Sequence, residues 1–413
     1  MKSDQINILK KCSYCTSELK ILLNLGSLPP VNVMDKVDEE FYGYQAFPLT
    51  WAVCKVCGLV QILEELSGDS VFPESYPYLS GTTRILRENF KEQYTEIQTF
   101  LGLTNEDLVV DIGSNDGTLL SNYKYTSKVL GVEPTSAADV ALSQDIPTLK
   151  KFFSKDVAQQ ISAQYGKAKV ITACNVFAHI PNLSELMDGI KNLLDDEGVF
   201  ISESHYLFSL IETLQFDTIY HEHLRYYSVT FLNGLFDDFG LEIIKVSRIP
   251  THGGSIRVWA AKTGKFPIQS SVQLALSEEL EKLNDGSNHL EKFVKDLLSW
   301  RQKFRGLISD LAIAGHSIAA IGAPSRASTL ISFTGLTHLD ISAVGEIAGS
   351  HKIGRFMPGT SIPIISEQIV LERNPDYLLM LSWHIAEELI PKIREKGFKG
   401  KFIVPLPDSI IVS

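Results

Sequence analysis

The stretch from Val109 to Leu120 constrains the fold more than any other part of the chain. Apolar, β-branched residues run into Asp111-Ile112-Gly113-Ser114-Asn115-Asp116-Gly117, which reads as a short buried strand, a tight turn and the first turn of a helix. Gly113 and Gly117 let the backbone turn sharply and approach a ligand closely. Asp111 falls at the carboxyl end of the strand, where open α/β sheets bind ligands. A second apolar run, 129–132, ends at Glu133-Pro134, and an acidic side chain there can accept the hydroxyls of a ribose. A dinucleotide-binding turn would read GxGxxG. This one reads DxGxxxG, which favours an adenosyl ligand without a pyrophosphate, namely S-adenosylmethionine (SAM). From this stretch alone, the alternative is any βαβ unit with a glycine turn.

The surrounding pattern is that of a doubly wound α/β sheet. Strands are expected at 108–112, 128–132, 146–149, 169–175 and 198–203, with a helix at 183–194 and later strands at 241–246 and 255–260. Asp111, Gly113, Asn115, Asp116, Gly117, Glu133, Pro134, Phe153 (at the exit of strand three) and Asn175 (at the end of strand four) are the expected cofactor contacts. Before the sheet, 84–101 reads as a helix with Ile85, Phe90, Tyr94, Ile97 and Leu101 on one face. After it, 272–313 is helical, broken at Asp285-Gly286-Ser287, and reads as a spacer packed between domains. A second α/β pattern follows, with strands at 317–322, 339–344, 377–382 and 401–404 and a helix at 385–396. It lacks the acidic residue after a DxGxxxG turn, so a second SAM is not expected. A chain of 413 residues should form two or three domains, and the divisions fall at 1–68, 69–265 and 266–413.

Four of the five cysteines form two CxxC pairs, Cys12/Cys15 and Cys54/Cys57. In a reducing compartment such pairs suggest zinc rather than disulfides, and four thiolates make a closed structural site with no open position for catalysis. The unit around them is too small to hold much core, a situation that a structural metal addresses. Cys174 lies in an apolar run and reads as a buried thiol.

The net charge of −11 and the lack of a basic run argue against nucleic acid as a partner. The first eleven residues are polar, and no stretch reaches the roughly eighteen apolar residues of a membrane span, so a cytoplasmic protein without membrane contact is expected. Reactive groups concentrate in two places. Asn175 and His179 follow strand four and should border the cofactor cleft. The run from Tyr220 to Ser228 holds two histidines, a glutamate and three tyrosines. A local helical turn would bring the Tyr220 phenol to the His223 imidazole with Glu222 to the side. That is a general-base arrangement in which a carboxylate orients the imidazole or raises its pKa. A metal at His221 and His223 would need a third ligand that the spacing does not supply. The loop around Tyr76-Pro77-Tyr78 and Ser80-Gly81 is either a linker or part of the pocket.

The ordered set of motifs resembles the sugar C-methyltransferases of nucleotide-linked deoxysugar pathways. It comprises the CxxC pairs, Tyr76-Pro77-Tyr78, the 111–117 turn, Phe177-Ala178-His179-Ile180, Tyr220-His221-Glu222-His223, His252-Gly253-Gly254-Ser255-Ile256-Arg257, Gly322-Ala323-Pro324 and 352–360. The resemblance covers essentially the whole chain. It departs at Ser325-Arg326-Ala327 and at Glu346, where the family pattern has a small-basic-glycine sequence and an aspartate. It implies a class I SAM methyltransferase with a Rossmann-like sheet, a small N-terminal zinc domain and a C-terminal Rossmann-like domain. The implied reaction is C-methylation of a nucleotide-diphosphate (dTDP) 4-keto-deoxysugar. A base removes the proton beside the ketone and the enolate carbon attacks the SAM methyl. By that resemblance His223 is the base, and Glu222, Tyr220, His179 and Tyr76 position the sugar or stabilise the enolate. Tyr78, Ser80, Arg257, Lys352 and Arg355 are the substrate-binding candidates, with Arg326 a further cation for the diphosphate. The competing readings are a sugar O-methyltransferase and a non-catalytic zinc-containing interaction protein with a degenerate cofactor fold.

Overall fold

The computed structural model describes residues 6–37, 45–67, 71, 79–284 and 288–413. The N-terminal unit contains β1 (Ile6–Ile8), β2 (Leu19–Leu28), β3 (Phe47–Cys54), β4 (Val60–Ile62) and β5 (Glu64–Leu66). β2, β3 and β4 form an antiparallel sheet, while β1 pairs with β5. Leu49, Trp51, Val60 and Ile62 are buried on it.

The central sheet contains β6 (Leu108–Ile112), β7 (Lys128–Val132), β8 (Thr148–Leu149), β9 (Ala168–Cys174), β10 (Leu194–His205), β12 (Leu241–Ile249) and β13 (Ser255–Lys262). The short strand β11 (Arg225–Tyr226) leaves this part of the chain and pairs with β4, extending the N-terminal sheet to four strands. The seven strands run in the order β12-β13-β10-β9-β6-β7-β8. β6 to β10 are parallel and β13 lies antiparallel between β10 and β12. Every residue of β6 is buried, as a central parallel strand covered on both faces requires. The order reverses between β6 and β9, so their carboxyl ends open a crevice on one edge. The helix expected after Gly117 is only a turn followed by a 3₁₀ segment, Leu120–Asn122.

The helix Arg84–Leu101 ends on left-handed Gly102, whose N–H closes onto the Gln98 carbonyl. Its buried face differs from the expected one. Leu86, Asn89, Phe90, Gln93 and Ile97 face inward, and Ile85 is exposed. The reason is polar. Asn89 and Gln93 reach into the sheet, to Glu203 and to Cys174, so the inward stripe is not the purely apolar one. The half-buried Cys174 thiol lies there, at the cavity wall, and desolvation pushes its pKa up.

The helices Ser270–Asn284 and His289–Ile313 follow. The second lies between the N-terminal and C-terminal units. Its Phe293 packs on Trp51 (5.4 Å between ring centroids), and Trp300 meets Phe216 (5.1 Å) and donates to the Pro405 carbonyl (2.7 Å). The C-terminal sheet contains β14 (Ile318–Ile321), β15 (Val344–Glu346), β16 (Ile364–Ser366), β17 (Tyr377–Met380), β18 (Lys401–Val404) and β19 (Ile410–Val412). Its order is β16-β15-β14-β17-β18-β19, parallel except at β19. The helix Ser325–Thr334 starts at its switch point, after β14. Among the described residues no helix is long and apolar enough to cross a membrane.

Candidate active site

A cavity of about 850 Å³ lies at the carboxyl edge of the central sheet and reaches the C-terminal unit. Gly113, Asn115, Glu133, Pro134, Phe153 and Asn175 line it, next to His179 and Tyr220 to His223, with Ser325, Arg326, Lys352 and His384 from the C-terminal unit.

Glu133 is placed by the loop that follows β6. Its carboxylate accepts the Asn115 N–H (3.0 Å), the Thr135 N–H (2.9 Å) and the Thr135 hydroxyl (2.6 Å). An ionised carboxylate offers about four acceptor positions, so capacity remains for a ribose hydroxyl. Gly113 has φ of +69°, and a Cβ there would lie 2.3 Å from a Val176 methyl, so only glycine fits.

Three expected cofactor contacts lie behind the cavity wall rather than in it. Asp111 accepts from the Thr172 hydroxyl (2.6 Å) between β6 and β9, and burial, reinforced by the Glu133 charge, pushes its carboxyl up to about 7. Asp116 accepts the Gly81 N–H (2.8 Å) and the Thr118 hydroxyl (2.6 Å). Gly117 backs against Ala141 and Ile146. Asp116, together with Asn115 accepting the Ser80 N–H (2.9 Å), ties Ser80-Gly81 to the cofactor turn, so Ser80 lines the cavity. Tyr76 and Tyr78 lie outside the described residues.

The Tyr220–His223 segment is a turn closed by the His223 N–H on the Tyr220 carbonyl (3.0 Å). The Tyr220 and His223 rings meet at 4.1 Å between centroids, and the His179 ring is 5.0 Å from that of His223. His223 Nδ1 sits 2.7 Å from the Thr218 carbonyl and His179 Nδ1 sits 2.6 Å from the Glu222 carbonyl. A carbonyl can only accept, so His223 carries its proton on Nδ1 and offers Nε2 as the base, while the His179 ring is held by the backbone of both Glu222 and Asn175. Burial lowers the pKa of both rings, that of His223 well below the ordinary imidazole value. The sequence-based expectation that Glu222 orients His223 or raises its pKa is corrected here. A backbone carbonyl orients the ring, and the Glu222 carboxylate accepts instead from Asn32 of the N-terminal unit, whose carboxamide oxygen takes the Ser325 hydroxyl (3.0 Å). Asn32 was missed. Nothing in the sequence distinguishes it from a loop residue after two prolines.

Two substrate candidates are not at the cavity. Arg257 is fully enclosed by the sheet and the 84–101 helix, bonding Glu203 (3.1 Å) and Asn89 (2.7 Å). Arg355 donates to the Met34 carbonyl (2.8 Å) and fastens the N-terminal unit to the C-terminal one. Lys352 does line the cavity. Its amine donates to the Ala323 carbonyl, and burial lowers its pKa against the opposing charges of Glu346 and Glu222. Arg326 lines it too, held by Asp217 through Nε (2.8 Å) and Nη2 (2.7 Å).

The sulfurs of Cys12, Cys15, Cys54 and Cys57 lie within 4.8 Å of one another, the one metal-type cluster of His, Cys, Asp and Glu among the described residues. Cys12–Cys57 and Cys15–Cys54 are 3.7 and 3.3 Å apart, near the roughly 3.8 Å edge of a tetrahedron with about 2.3 Å Zn–S bonds. The Tyr14, Val56 and Cys57 N–H groups point at the Cys12 and Cys54 sulfurs. Crowding splits the thiols, with Cys12 lowered to about 5 by its hydrogen bond to Cys57 and Cys57 raised. All four ionise together only around a cation, so the set is compatible with zinc.

Strand order, a carboxylate at the end of β7 and the cavity beside it define a class I SAM-dependent methyltransferase. The family model described as "Methyltransferase domain" matches residues 85–246, and that described as "C-methyltransferase C-terminal domain" matches 250–407. The chain is 31% identical to the C-methyltransferase NovU of Streptomyces niveus over 417 aligned positions, covering 99% of this chain and 98% of that one. It belongs to this C-methyltransferase family. Solved structures similar to part of it include a SAM-dependent methyltransferase from Clostridium acetobutylicum (14% identity, 45% of this chain and 94% of that one, TM-score 0.35). Another is magnesium protoporphyrin IX methyltransferase from Synechocystis with bound SAH (17% identity, 43% and 83%, TM-score 0.35).

Proposed function

We propose that this C-methyltransferase acts on a nucleotide-diphosphate-linked 4-keto-deoxysugar, of the dTDP type, with His223 as the base. The observation that carries the reading is His223 itself. It is half-buried at the cavity, keeps its Nδ1 proton on the Thr218 carbonyl and so holds Nε2 unprotonated. A hydrogen on the carbon beside a ketone is acidic because the electron pair left behind delocalises onto the ketone oxygen. His223 Nε2 takes that proton. Tyr220, against the His223 ring, is placed to position the sugar and donate to the oxygen as charge develops on it, while His179, also against that ring, positions the sugar. SAM, held at Glu133 and the 113–115 turn, supplies the electrophilic methyl group that the carbon captures. The four-cysteine site holds structural zinc, and the chain is organised as units 1–68, 69–265 and 266–413.

The test is to incubate the protein with SAM and a panel of 4-keto sugar nucleotides and follow S-adenosylhomocysteine release and the NMR spectrum of the product. Loss of a ring C–H and a new C–CH₃ are expected. A methyl ether with that C–H intact, or equal turnover of a sugar reduced at C4, overturns the proposal. His223→Asn should lower turnover by roughly 10²- to 10⁴-fold while SAM still binds. Because the free imidazole is held neutral, kcat/KM should not begin to fall until the pH drops below about 6.5.

A further inference from the structure

Beside His223, the cavity wall carries three histidines that the reaction above does not use. They come from three separate elements and converge on Arg326. His205 ends β10, His252 sits in the His252-Gly253-Gly254 turn before β13, and His384 follows β17. The turn is built to present His252. Its backbone is left-handed (φ +54°), a conformation that side chains other than glycine rarely adopt and that collects at functional sites. Gly253 and Gly254 are wedged so tightly that a Cβ on either would strike Gln215 (2.4 Å) or Ser209 (2.7 Å). The His205 ring donates from Nε2 to the His252 carbonyl (2.8 Å) and braces the turn. The His252 imidazole itself makes no hydrogen bond among the described residues and borders the cavity. Nδ1 of His384 is buried without a partner among the described residues. Arg326, itself buried and lining the cavity, bonds Asp217 and Gln215 through Nε and Nη2, and no bond from its Nη1 is found among the described residues. A buried polar atom left unpaired keeps its desolvation cost unless a ligand satisfies it.

We propose that Arg326, His252 and His384 form the subsite for the diphosphate of the substrate, with His205 as the positioning residue that holds His252 in its turn. This rests on the nucleotide-sugar reading above.

The charge balance gives the subsite a property of its own. Asp217 is held by Arg326 and by the Trp383 indole N–H (2.7 Å), so this pair contributes close to no net charge. With the cavity empty the three imidazoles are neutral. Burial and the Arg326 charge hold His205 at about 3, His252 at about 4 and His384 at about 3. The charged or titratable groups that face them are Arg326, Asp217, one another and His223. A diphosphate entering here meets one spare guanidinium nitrogen and no free positive charge. Its own negative charge favours the protonated imidazoles and raises their pKa values. Binding therefore takes up protons, and affinity rises as pH falls through the window between the bound and free values.

The experiment is titration calorimetry of the full-length, zinc-loaded protein with inorganic pyrophosphate, in buffers of different ionisation enthalpy and with SAM as a separate ligand. Expected are proton uptake on binding and tighter binding at pH 6 than at pH 8. In His252→Asn and His384→Gln, pyrophosphate should bind about tenfold more weakly with reduced uptake, since a hydrogen bond to a charged group is lost. Asparagine is chosen because it tolerates the left-handed backbone. Unchanged SAM affinity reports that each variant is folded. Pyrophosphate affinity that is independent of pH, or unaltered in both variants, overturns the proposal. The nucleotide-sugar reading fails separately, if pyrophosphate binds as described but no 4-keto sugar nucleotide is C-methylated.

Discussion

Replacing Arg257 by methionine separates the substrate-binding role expected from the sequence from the buried ion pair found in the structure. In the structure, Arg257 and Glu203 are both at 0% side-chain exposure, and the guanidinium also holds Asn89. Removing one partner of a buried, hydrogen-bonded ion pair destabilises by about 3–5 kcal/mol, because the remaining charge keeps its desolvation cost without its counterion. For a unit of this size that is a fall in melting temperature of roughly 6–20 °C. The loss also has a pH signature. Burial already raises the Glu203 carboxyl, and Arg257 is the chief group opposing that rise. Without it the carboxyl rises further. The defect is then smaller at acid pH, where Glu203 is protonated, and grows as pH rises through the new value. A second change, Glu203→Gln, removes the stranded charge and should recover part of the loss. The assay is thermal and urea denaturation at pH 5 and pH 8, with KM for the sugar nucleotide measured on folded protein. A KM that rises severalfold while the melting temperature stays put would refute the buried-pair reasoning and return Arg257 to the substrate.

Three further outcomes are expected. Chelating the metal should unfold the N-terminal unit and abolish turnover together, because Ser13 between the first cysteines accepts from Arg225 (3.2 Å), which clamps the Ile180 and Pro181 carbonyls beside His179; an unchanged far-UV spectrum and melt after metal loss would contradict this. Asp111→Asn should flatten the pH dependence of stability: Asp111, raised from 3.8 to about 7, contributes stability present below about pH 4 and lost as pH rises through about 7, an effect of up to roughly 4 kcal/mol at full burial, readable as melting temperature against pH for both proteins. Asn32→Ala should lower kcat/KM about tenfold with SAM affinity intact, since Glu222 loses its donor from the N-terminal unit; unchanged kinetics would show that Asn32 does not position Glu222.

Features whose physics is local were legible in the sequence. The β6 turn, the carboxylate after β7 and the CxxC pairs each depend on residues within a few positions of one another, and the Tyr220–His223 contact follows from an i,i+3 turn. The helices were legible as periodicities, but not which face was buried. Asn89 and Gln93 look solvent-facing until a buried arginine and a half-buried thiol are found beneath them. Cations were the least legible. Arg257, Arg326, Lys352 and Arg355 look alike as surface-type residues, and only their distant partners sort them into a buried pair, two cavity residues and a link between units.

By itself the sequence determined the doubly wound sheets, the glycine turn after β6 with the carboxylate after β7, and the four-cysteine cluster, because strand periodicity, turn chemistry and ligand spacing are short-range properties. Only the tertiary structure decided what surrounds His223. Thr218 sets its tautomer, Asn32 of the N-terminal unit reaches Glu222 and is itself held by Ser325 of the C-terminal unit, and His205, His252 and His384 converge on Arg326 from three separate elements. Residues so far apart in the chain become neighbours through the packing of the two sheets and the N-terminal unit around one cavity, and no local pattern encodes that proximity.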